Sequence, residues 1–586
     1  GEEGEGDDVG APAPPPVIAL RADCFSGGRH EAPVLTAVRA DGALLVYQGF
    51  VHGGALRFSR AQLGDAPAFV ATSKARARRV QLLRVEGVRE PVPVSGVVVC
   101  GDEPLWLVPA RGRLRAHALR AGGGINAFAP FHNVNCERGF LLATDEEIMF
   151  CKLPAKVAYT QPWPTRKVAL KCTPLGLVYC EETQVFMLAT ARKTPVKERQ
   201  FEEDDVHGAA IFAAQRAKAA RTTDNVEELH ELRLLAPGSL ETTWKSALEP
   251  GEVVLHMCYV RLRNLMTGQI EPMVAVGTGF PGSEEAPCRG RVLLFTVSRK
   301  DEGGITRWSA DLVLARQTKN ACTCIAALDD HMILANGTKV TVQGWAAGDL
   351  KQTAFYDTPI YTTSAAVVKN FVLCSDYHKG AFFLHWRQND QMLDHLGKDF
   401  SPMDVFATEF LLDGSTLSIV AGDAEGNLAV FEYRRDSIES WRGQKLLLRT
   451  HVHAGTVVNR MSRVRCAEAS GKAKMRFGAL YGSLDGAYGC LVPVAEQVVP
   501  LLRQLQDRLV LKTPQAAGLH PGAFRAPKQA RGRPGRQAAP APALDAAVLA
   551  QFHALPWRRQ HAVAGDAGYR GALAALRDLA ATSVVL

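Results

Sequence analysis

Short apolar runs joined by tight polar turns recur along most of this chain, and no other feature constrains its fold as strongly. From about residue 33, stretches such as APVLTAVRADGALLVYQGF and GFLLATDEEIMFCKLP each contain two runs with the alternation of β-strands. The intervening Ala40-Asp41-Gly42 and Thr144–Glu147 supply the small and polar residues that hairpin turns require. The sequence therefore predicts a series of antiparallel hairpins.

The hairpins repeat with a spacing that is typical of one architecture. Near Asp376, Asp423 and Asp485 the same order recurs: a β-rich run, a small residue with Asp, a polar or Gly turn, and a second apolar run. The units recur at roughly 45 to 60 residues, the length of a four-stranded propeller blade rather than of a two-helix repeat. Because no Trp-Asp dipeptide marks the units, we expect an all-β fold built on a divergent, WD-like β-propeller.

After Pro493 the apolar spacing changes from the period of strands to the period of helices. Two stretches each place apolar side chains on one helical face, first Val498, Leu501, Leu502, Leu505 and Leu509, then Leu544, Val548, Phe552 and Leu555. GYRGALAALRDLA supplies a third helix. Residues 526–542 have the Pro, Arg and Ala composition of a disordered linker. We therefore predict a small helical domain over residues 493–586.

Three other stretches lack the strand pattern. The acidic, Pro/Gly-rich residues 1–16 have the composition of a disordered segment. The basic residues 70–92 include KARARRVQLLR, and residues 192–232 are charged and rich in Ala. Both interrupt the hairpins, so we expect them to be insertions between strands.

The length and composition set broad limits on the class of protein. A chain of 586 residues with 47% hydrophobic and 22% charged residues is expected to form several globular domains. Its 13 cysteines, an odd number scattered through apolar runs, are typical of reduced thiols in an intracellular protein. No apolar run reaches the ~18 residues of a membrane span, and the acidic start has no signal-peptide pattern. Since it begins without Met, we expect an excerpt of a longer protein.

The stretch FHNVNC crowds together residue types that enzymes use. His132 and Cys136 could form a nucleophile pair oriented by Asn133, but catalytic partners normally meet across a fold rather than at adjacent positions. The surrounding Asn, Pro and Gly residues suit a turn, with Phe131 and Phe140 as its hydrophobic anchors. We therefore interpret the stretch as a turn and expect no catalytic residue.

Two short patterns resemble fragments of metal sites. His451 and His453 have the spacing that puts two imidazoles on one face of a strand, but the residues after them offer no further ligand. Cys322-Thr323-Cys324 lies in a β-rich run and has no matching Cys pair elsewhere. We interpret both as strand residues and predict no metal ion and no cofactor.

Two clusters of basic residues permit contact with nucleic acid. The net charge of +8 is a mild basic bias, and Lys and Arg concentrate in a few runs. Because basic side chains pair with phosphates, the candidate contacts are Lys74, Arg76, Arg78, Arg79, Arg531, Arg533 and Arg536. A solvated loop is the alternative interpretation, and it is favoured for the first cluster.

Several longer strings resemble a known family. They are, in chain order, FAPFHNVNCERGF, PWPTRKVALKCT, CRGRVLLF, VKNFVLCSDYHKGAFFL, GDAEGNLAVFEY and GLHPGAFR. Together they closely resemble the C-terminal part of the largest-subunit family of the cleavage and polyadenylation specificity factor, which is shared with large subunits of the damaged-DNA-binding complex and of a splicing factor. The signature residues are Phe131, His132, Asn133, Cys136, Trp163, Arg166, Lys167, Arg289, Gly290, Arg291, Asp376, Asn427, Gly518, Phe524 and Arg525.

This resemblance implies an arrangement of domains. Residues 17–146 would be the closing blades of a second β-propeller, residues 147–492 a third propeller of the seven-bladed type, and residues 493–586 a C-terminal helical domain. The insertion at 192–232 and the Arg-rich linker at 526–542 depart from the family pattern.

The resemblance also implies a function. The family's subunit is a non-catalytic, nuclear scaffold that holds a WD-repeat subunit and a zinc-finger subunit, and these two partners read the AAUAAA signal of pre-mRNA. Contact with pre-mRNA would then be mostly indirect, with neither a membrane nor a small-molecule substrate involved. The alternative is a propeller protein that binds RNA or damaged DNA directly.

Overall fold

The computed structural model describes most of the chain. The described residues are 13–26, 31–61, 82–89, 93–101, 104–110, 113–119, 124–137, 139–152, 166–195, 226–281, 288–302, 305–466, 476–515, 518–529, 543–565 and 568–583. They form eight β-sheets, which are followed by five α-helices.

Three sheets form the N-terminal region, and their strands pair with their neighbours in sequence. The first sheet contains β1 (Val17–Ser26), β2 (Glu31–Arg39), β3 (Leu44–His52) and β4 (Ala55–Arg60). The second contains β5 (Leu82–Arg89), β6 (Pro93–Val99), β7 (Leu105–Ala110) and β8 (Arg113–Ala118). The third contains β9 (Ala127–Phe131), β10 (Gly139–Ala143) and β11 (Ile148–Cys151).

Four further sheets have four strands each. The fourth sheet contains β12 (Thr173–Cys180), β13 (Val185–Pro195), β14 (Val226–Leu235) and β15 (Thr242–Ala247). The fifth contains β16 (Val253–Arg263), β17 (Ile270–Gly279), β18 (Gly290–Glu302) and β19 (Ile305–Thr318). The sixth contains β20 (Cys322–Leu328), β21 (His331–Asn336), β22 (Lys339–Ala346) and β23 (Asp349–Asp357). The seventh contains β24 (Thr362–Val368), β25 (Phe371–Asp376), β26 (Gly380–Arg387) and β27 (Met392–Lys398).

The last sheet has seven strands because two groups of strands join. One group contains β28 (Val405–Asp413), β29 (Thr416–Asp423), β30 (Asn427–Glu432) and β31 (Leu447–His453). The other contains β32 (Val458–Arg465), β33 (Arg476–Ser483) and β34 (Tyr488–Leu491). A short pairing between β28 and β33 connects the two groups.

Successive sheets pack against each other as blades. From β12 onward, the first strand of each sheet contacts the first strand of the next, through β16, β20 and β24 to β28, and β28 also contacts β32, the first strand of the second group in the last sheet. Separate clusters of buried apolar side chains fill the spaces between neighbouring sheets. This is the arrangement of a β-propeller. The predicted all-β fold with C-terminal helices is therefore confirmed, whereas the number of seven blades stays a prediction.

The two hairpin turns named from the sequence form as predicted. Between β2 and β3, the Asp41 carboxylate accepts a hydrogen bond from the Ala43 N–H at 3.2 Å. Gly42 in this turn has a φ of 83°, which residues with a Cβ rarely adopt. Between β10 and β11, the Thr144 N–H donates to the Glu147 carbonyl at 2.9 Å.

Strands extend further into the predicted insertions than the sequence indicated. β5 lies within 70–92, while β13 and β14 enter 192–232 from both ends, with Pro195 paired to Val226. Charged residues at the paired ends of these two strands, such as Arg192, Lys193 and Glu228, interrupt the apolar alternation in the sequence. The remaining parts of both intervals lie outside the described residues. The domain boundary predicted after residue 146 falls in the turn of the paired β10–β11 hairpin, and the domain bounds stay predictions.

Five helices follow the last strand. They are α1 (Val499–Lys512), α2 (Pro521–Phe524), α3 (Ala546–Ala554), α4 (Trp557–Ala564) and α5 (Tyr569–Ser583). Leu502, Leu505 and Leu509 of α1 are buried together with Val548 and Phe552 of α3, as the apolar spacing predicts. The apolar spacing of the sequence did not indicate α2 or α4. No helix in the described parts of the chain is long and apolar enough to cross a membrane.

Candidate functional site: two attachments of the helical segment

An arginine at the end of a strand connects the first sheet to the helices. Arg60 donates from its two terminal guanidinium nitrogens to the carbonyl oxygens of His553 and Leu555, at 2.7 Å each. These carbonyls lie at the C-terminal end of α3, where the helix dipole favours a cation. Burial lowers the pKa of Arg60, but a guanidinium group keeps its proton at neutral pH. The helix end therefore gains a partly buried cationic cap.

Arg39 extends the contact to α4. Its guanidinium donates two hydrogen bonds to the Asp41 carboxylate, at 3.1 and 2.6 Å, and lies 4.6 Å from the centre of the Trp557 ring. A cation over an indole face is favourable by roughly 0.5 to 2 kcal/mol. We call the contacts of Arg39 and Arg60 with α3 and α4 the first attachment.

A cavity of about 300 Å³ lies within the first attachment. Its walls include Arg39, Arg60, Trp557 and Tyr569. On its helical side, burial and then the charge of Arg60 lower the pKa of His553 to about 4. Because this histidine is neutral at physiological pH, it adds no positive charge beside Arg60.

Residues after α2 connect the helical segment to the last sheet. The Arg525 Nε donates to the Asp545 carboxylate at 2.8 Å, and its Nη1 donates to the carbonyls of His453 and Ala454 at 3.3 and 3.2 Å. In return, the His453 N–H donates to the Arg525 carbonyl at 3.0 Å. Arg525 thus joins the end of β31 to the first turn of α3, since Asp545 caps that helix.

Asn427 completes this connection from the start of β30. Its side-chain nitrogen donates to the Asp423 carboxylate and to the Lys528 carbonyl, both at 2.8 Å, and its side-chain oxygen accepts from the Lys528 N–H at 2.8 Å. Only 1% of Asn427 is exposed, so these bonds are shielded from water. We call the contacts of residues 524–528 with Asn427 and β31 the second attachment.

The Phe524 ring belongs to the second attachment as well. It lies edge-on to the His453 ring, with 5.9 Å between the ring centres. A Cβ placed on Gly455 would lie 2.8 Å from the Phe524 ring, and Gly455 has a φ of +97°. Glycine at this position is therefore required both by the backbone and by the neighbouring ring. Gly518, which precedes α2, also has a left-handed backbone, with a φ of +69°.

Two other signature residues, Asp376 and Arg291, make contacts within the sheets rather than with the helical segment. The buried Asp376 carboxylate accepts four backbone hydrogen bonds of 2.7 to 3.1 Å, from Ile360, Tyr361, His378 and Lys379. A carboxylate bonded in this way ties the start of β24 to the turn after β25. The recurrent Asp in the sequence pattern is therefore a structural residue at this position.

Arg291 is held by carboxylates in the fifth sheet. Its Nε donates to the buried Glu252 carboxylate at 2.9 Å, and Glu249 is a second ion-pair partner. Burial alone would lower the pKa of Arg291, but the hydrogen bonds and charge of Glu252 outweigh burial and raise it. The neighbouring Arg289 guanidinium lies 4.7 Å from the centre of the Phe280 ring. At Gly290, a Cβ would lie 2.5 Å from the Thr278 carbonyl oxygen, so the strands approach too closely for a side chain.

The FHNVNC stretch forms the predicted turn between β9 and β10. The Asn133 side-chain oxygen accepts from the backbone N–H groups of Asn135 and Cys136, at 2.9 and 2.6 Å. Phe131 packs edge-on against Phe150, with 5.0 Å between the ring centres. The side chain of His132 is exposed. The crowded residue types are therefore used to build a turn.

The remaining residues singled out from the sequence fall into three groups: residues near the fourth sheet, residues within strands, and residues outside the described part of the chain. Arg166 donates to the carbonyls of Gly238 and Ser239, the latter at 2.6 Å, and the neighbouring Lys167 is exposed. Cys322 and Cys324 lie in β20, and His451 and His453 in β31, as predicted; no group of potential metal ligands occurs in the described ranges. The candidates outside the described residues are Trp163, Lys74, Arg76, Arg78, Arg79, Arg531, Arg533 and Arg536.

Sequence reasoning missed the first attachment entirely. Arg39 and Arg60 look like ordinary strand-end cations, and the carbonyls that Arg60 contacts lie 493 and 495 positions further along the chain. No local pattern signals a partner at that distance. The second attachment was partly visible, because GLHPGAFR and GDAEGNLAVFEY were among the strings that carry the family resemblance.

Comparison with known proteins identifies related chains. The family model of the CPSF A subunit region matches residues 229–554, more than half of the chain. A model of the RSE1/DDB1/CPSF1 second beta-propeller matches residues 16–153, which cover the first three sheets.

Individual relatives are similar over most of this chain. Cleavage and polyadenylation specificity factor subunit 1 of Arabidopsis thaliana is 33% identical over 94% of this chain and 40% of the relative. The probable subunit 1 of Oryza sativa is 33% identical over 85% of this chain and 37% of the relative, and the Drosophila melanogaster subunit 1 is 31% identical over 75% and 31%. The chain thus spans about 40% or less of the length of these relatives. It belongs to the CPSF A subunit family.

Proposed function

We propose that this chain is part of a non-catalytic scaffold subunit in the complex that cleaves and polyadenylates pre-mRNA. Family membership and the names of the relatives support a role in cleavage and polyadenylation. The structural observation that carries the scaffold role is the double attachment of the helical segment. It is bonded to the first sheet through Arg60 and to the last sheet through Asn427 and Arg525.

A scaffold must hold separate surfaces in a constant geometry. Each attachment combines a cation or a buried amide with backbone groups on the other element, and such bonds favour one relative position of the elements. Propeller blades joined by short turns present rigid faces to other chains. Under this proposal, the attachments position such faces for partner proteins and take part in no reaction.

The proposed partners are a WD-repeat subunit and a zinc-finger subunit. We propose that these two subunits contact the AAUAAA signal and that the present chain contacts pre-mRNA mainly through them. The assembly would act in the nucleus, where pre-mRNA is processed.

Reconstitution tests the proposal. The full-length subunit is co-expressed with both partners, and binding of AAUAAA RNA is compared with binding of RNA that carries a mutated hexamer. We expect tight and selective binding only when all three subunits are present. Failure of the full-length subunit to capture either partner would overturn the scaffold proposal.

A matched pair of variants tests the role of the attachments. Arg60→Ala with Asn427→Ala removes hydrogen bonds from both attachments. Arg57→Ala with Asn389→Ala removes the same side-chain types from exposed positions. We expect the first double variant to capture the partners less efficiently and the second to behave like the wild type. Equal capture by the two double variants would contradict a positioning role for the attachments.

A further inference from the structure

Two exposed aromatic rings meet on the surface between the seventh sheet and the loop that precedes β31. Phe400 follows β27, and Trp441 follows a short 3-10 helix at Ile438–Ser440. Their ring centres are 4.9 Å apart in an edge-to-face arrangement. Phe400 is 46% exposed and Trp441 is 53% exposed. Because large aromatic side chains usually bury most of their surface, a pair held in solvent points to a ligand.

Each of these rings has a lysine beside it. The Lys398 Nζ lies 4.8 Å from the centre of the Phe400 ring, and the Lys445 Nζ lies 5.3 Å from the centre of the Trp441 ring. The two lysines are neighbours through the backbone, since the Lys398 N–H donates to the Gln444 carbonyl at 2.9 Å. We call Lys398, Phe400, Trp441 and Lys445 the aromatic–lysine platform.

The loop that carries Trp441 is held in one conformation. Trp441 and Arg442 both have left-handed backbones, with φ values of 50° and 60°, which are unfavourable for residues with a Cβ. The buried Ser440 hydroxyl stabilises this loop, because it donates to the Ser437 carbonyl at 2.7 Å and accepts from the Gly443 N–H at 3.0 Å. The rings are therefore in place before a ligand arrives, which reduces the entropy lost on binding.

The surroundings of the platform are positively charged. Residues 434–445 contain four basic and two acidic side chains, Arg434 among them is paired with Glu432, and Lys398 adds a further cation. Within the described residues, Lys398, Arg442 and Lys445 have no carboxylate partner. The matching ligand is a polyanion whose charges alternate with flat apolar rings.

We propose that the aromatic–lysine platform binds single-stranded nucleic acid. One or two bases stack on Trp441 and Phe400, and Lys398 and Lys445 turn towards the flanking phosphates. A duplex is excluded because its bases are already stacked inside the helix. This inference goes beyond the scaffold function, since it gives the chain a nucleic-acid contact that requires neither partner subunit.

Binding of a defined oligonucleotide tests the platform. The purified 586-residue chain is titrated with a fluorescein-labelled single-stranded RNA of about 12 nucleotides of A and U, a length within known single-strand sites, across a salt series. Trp441→Ala should raise the Kd by about 5- to 150-fold, which corresponds to the loss of one stacked base. Lys398→Gln with Lys445→Gln should reduce the slope of log affinity against log salt by about 1.4.

A second exposed aromatic ring with a lysine beside it provides a matched control. Phe355 is 53% exposed, and the Lys339 Nζ lies 4.9 Å from its ring centre, so Phe355→Ala removes an exposed ring of the same local chemistry. We expect Phe355→Ala to bind RNA like the wild type. Single-stranded DNA of the same sequence should also bind, whereas the RNA duplex should bind at least tenfold more weakly. If Trp441→Ala alters the melting temperature, a loss of RNA affinity in that variant could come from unfolding. The test then rests on the change in salt slope of the Lys398→Gln, Lys445→Gln variant.

Three results would overturn the proposal. The first is equal RNA affinity of the Trp441→Ala and Phe355→Ala variants together with an unchanged salt slope of the lysine variant. The second is a loss of affinity on replacing Arg531, Arg533 and Arg536 with Ala that Trp441→Ala does not share, which would place binding in the linker. The third is capture of the WD-repeat or zinc-finger subunit that depends on Trp441 while RNA binding does not, which would make the platform a protein contact.

Discussion

The two attachments of the helical segment join it to the β-sheets by different means. In the first attachment, long side chains of the sheet reach helix-end carbonyls and an indole ring, and a cavity of about 300 Å³ lies between them. In the second, a short peptide run exchanges backbone and amide hydrogen bonds with a buried asparagine. The first therefore depends on charge and aromatic packing, and the second depends on backbone register. The difference can be tested by substitutions that weaken both attachments and by substitutions that weaken only one of them.

The largest effect is expected where both attachments share a support. Phe552 is fully buried in the helical core, so Phe552→Ala should lower the free energy of unfolding of the helical segment by about 3 to 5 kcal/mol. Both attachments should then open together, which hydrogen exchange of the backbone amides in 525–528 and 553–557, apart from Pro527 and Pro556, would measure. The exposed Phe355 of β23, which takes part in neither attachment, provides the control, since Phe355→Ala should cost less than about 1 kcal/mol. Exchange that increases at only one attachment would show that the helical core is not their common support.

Asn427→Ala should separate the two attachments. It removes hydrogen bonds to Lys528 that are shielded from water. We therefore expect the free energy of unfolding to fall by about 2 to 3 kcal/mol. Amides of residues 525–528 should exchange faster, while those of residues 553–557 should keep their wild-type rates. Asn389→Ala, at an exposed position, is the matched control. Equal protection of residues 525–528 in both variants would mean that Asn427 does not hold the second attachment.

Acid should weaken the first attachment. Burial and the charge of Arg60 lower the pKa of His553 to about 4, below the ordinary value near 6.5 of an unfolded histidine. The folded state thus binds fewer protons, so stability is complete above about pH 6.5 and declines as pH falls towards 4. The expected loss is on the order of 1 to 3 kcal/mol, measured by urea unfolding at pH 7 and pH 4.5.

A histidine variant isolates this effect from the second attachment. Burial and then the charge of Lys528 also lower the pKa of His453, so the wild type reports both attachments. His553→Gln should remove the contribution of the first attachment to the pH dependence of stability. His453→Gln should remove the contribution of the second attachment. An unchanged pH dependence in His553→Gln would show that His553 does not titrate on unfolding.

The smallest effect is expected at Arg525. Arg525→Ala removes bonds to the His453 and Ala454 carbonyls and to Asp545, but the side chain is partly exposed, so water replaces part of these contacts. We expect a loss of about 1 kcal/mol in the free energy of unfolding. Arg503→Ala, on the exposed face of α1, should change stability by less than about 0.5 kcal/mol. A loss of more than about 3 kcal/mol would place Arg525 above Asn427 as the main support.

Local patterns predicted the elements well because hairpins and amphipathic helices are encoded by neighbouring residues. The turns at Asp41 and Thr144 and the buried face of α1 illustrate this. Where charged residues cluster at paired strand ends, as at Arg192, Lys193 and Glu228 of β13 and β14, the sequence resembled an insertion and these strand ends were not predicted.

The contacts of the site were less predictable, for a different physical reason. Asn427 and Arg525 belong to strings that carry the family resemblance, but their mutual position depends on how the chain returns to the last sheet. The contacts of Arg60 depend on tertiary packing alone. No local sequence pattern distinguishes Trp441 from the other tryptophans, because only the fold places Phe400 beside it. Sequence spacing predicts elements, and tertiary contacts between distant residues create the sites.

The distance along the chain between Arg60 and its carbonyl partners has a consequence for synthesis. Ribosomes add about 5 to 20 residues per second, so the 493 positions between Arg60 and His553 take roughly 25 to 100 s to translate. During that time the first sheet has emerged while α3 and α4 do not yet exist. Ala43, which packs in the helical core, and Tyr47, which lines the cavity, then face solvent or a chaperone. Helices that are synthesised long after the first sheet are therefore the ones that cover these residues.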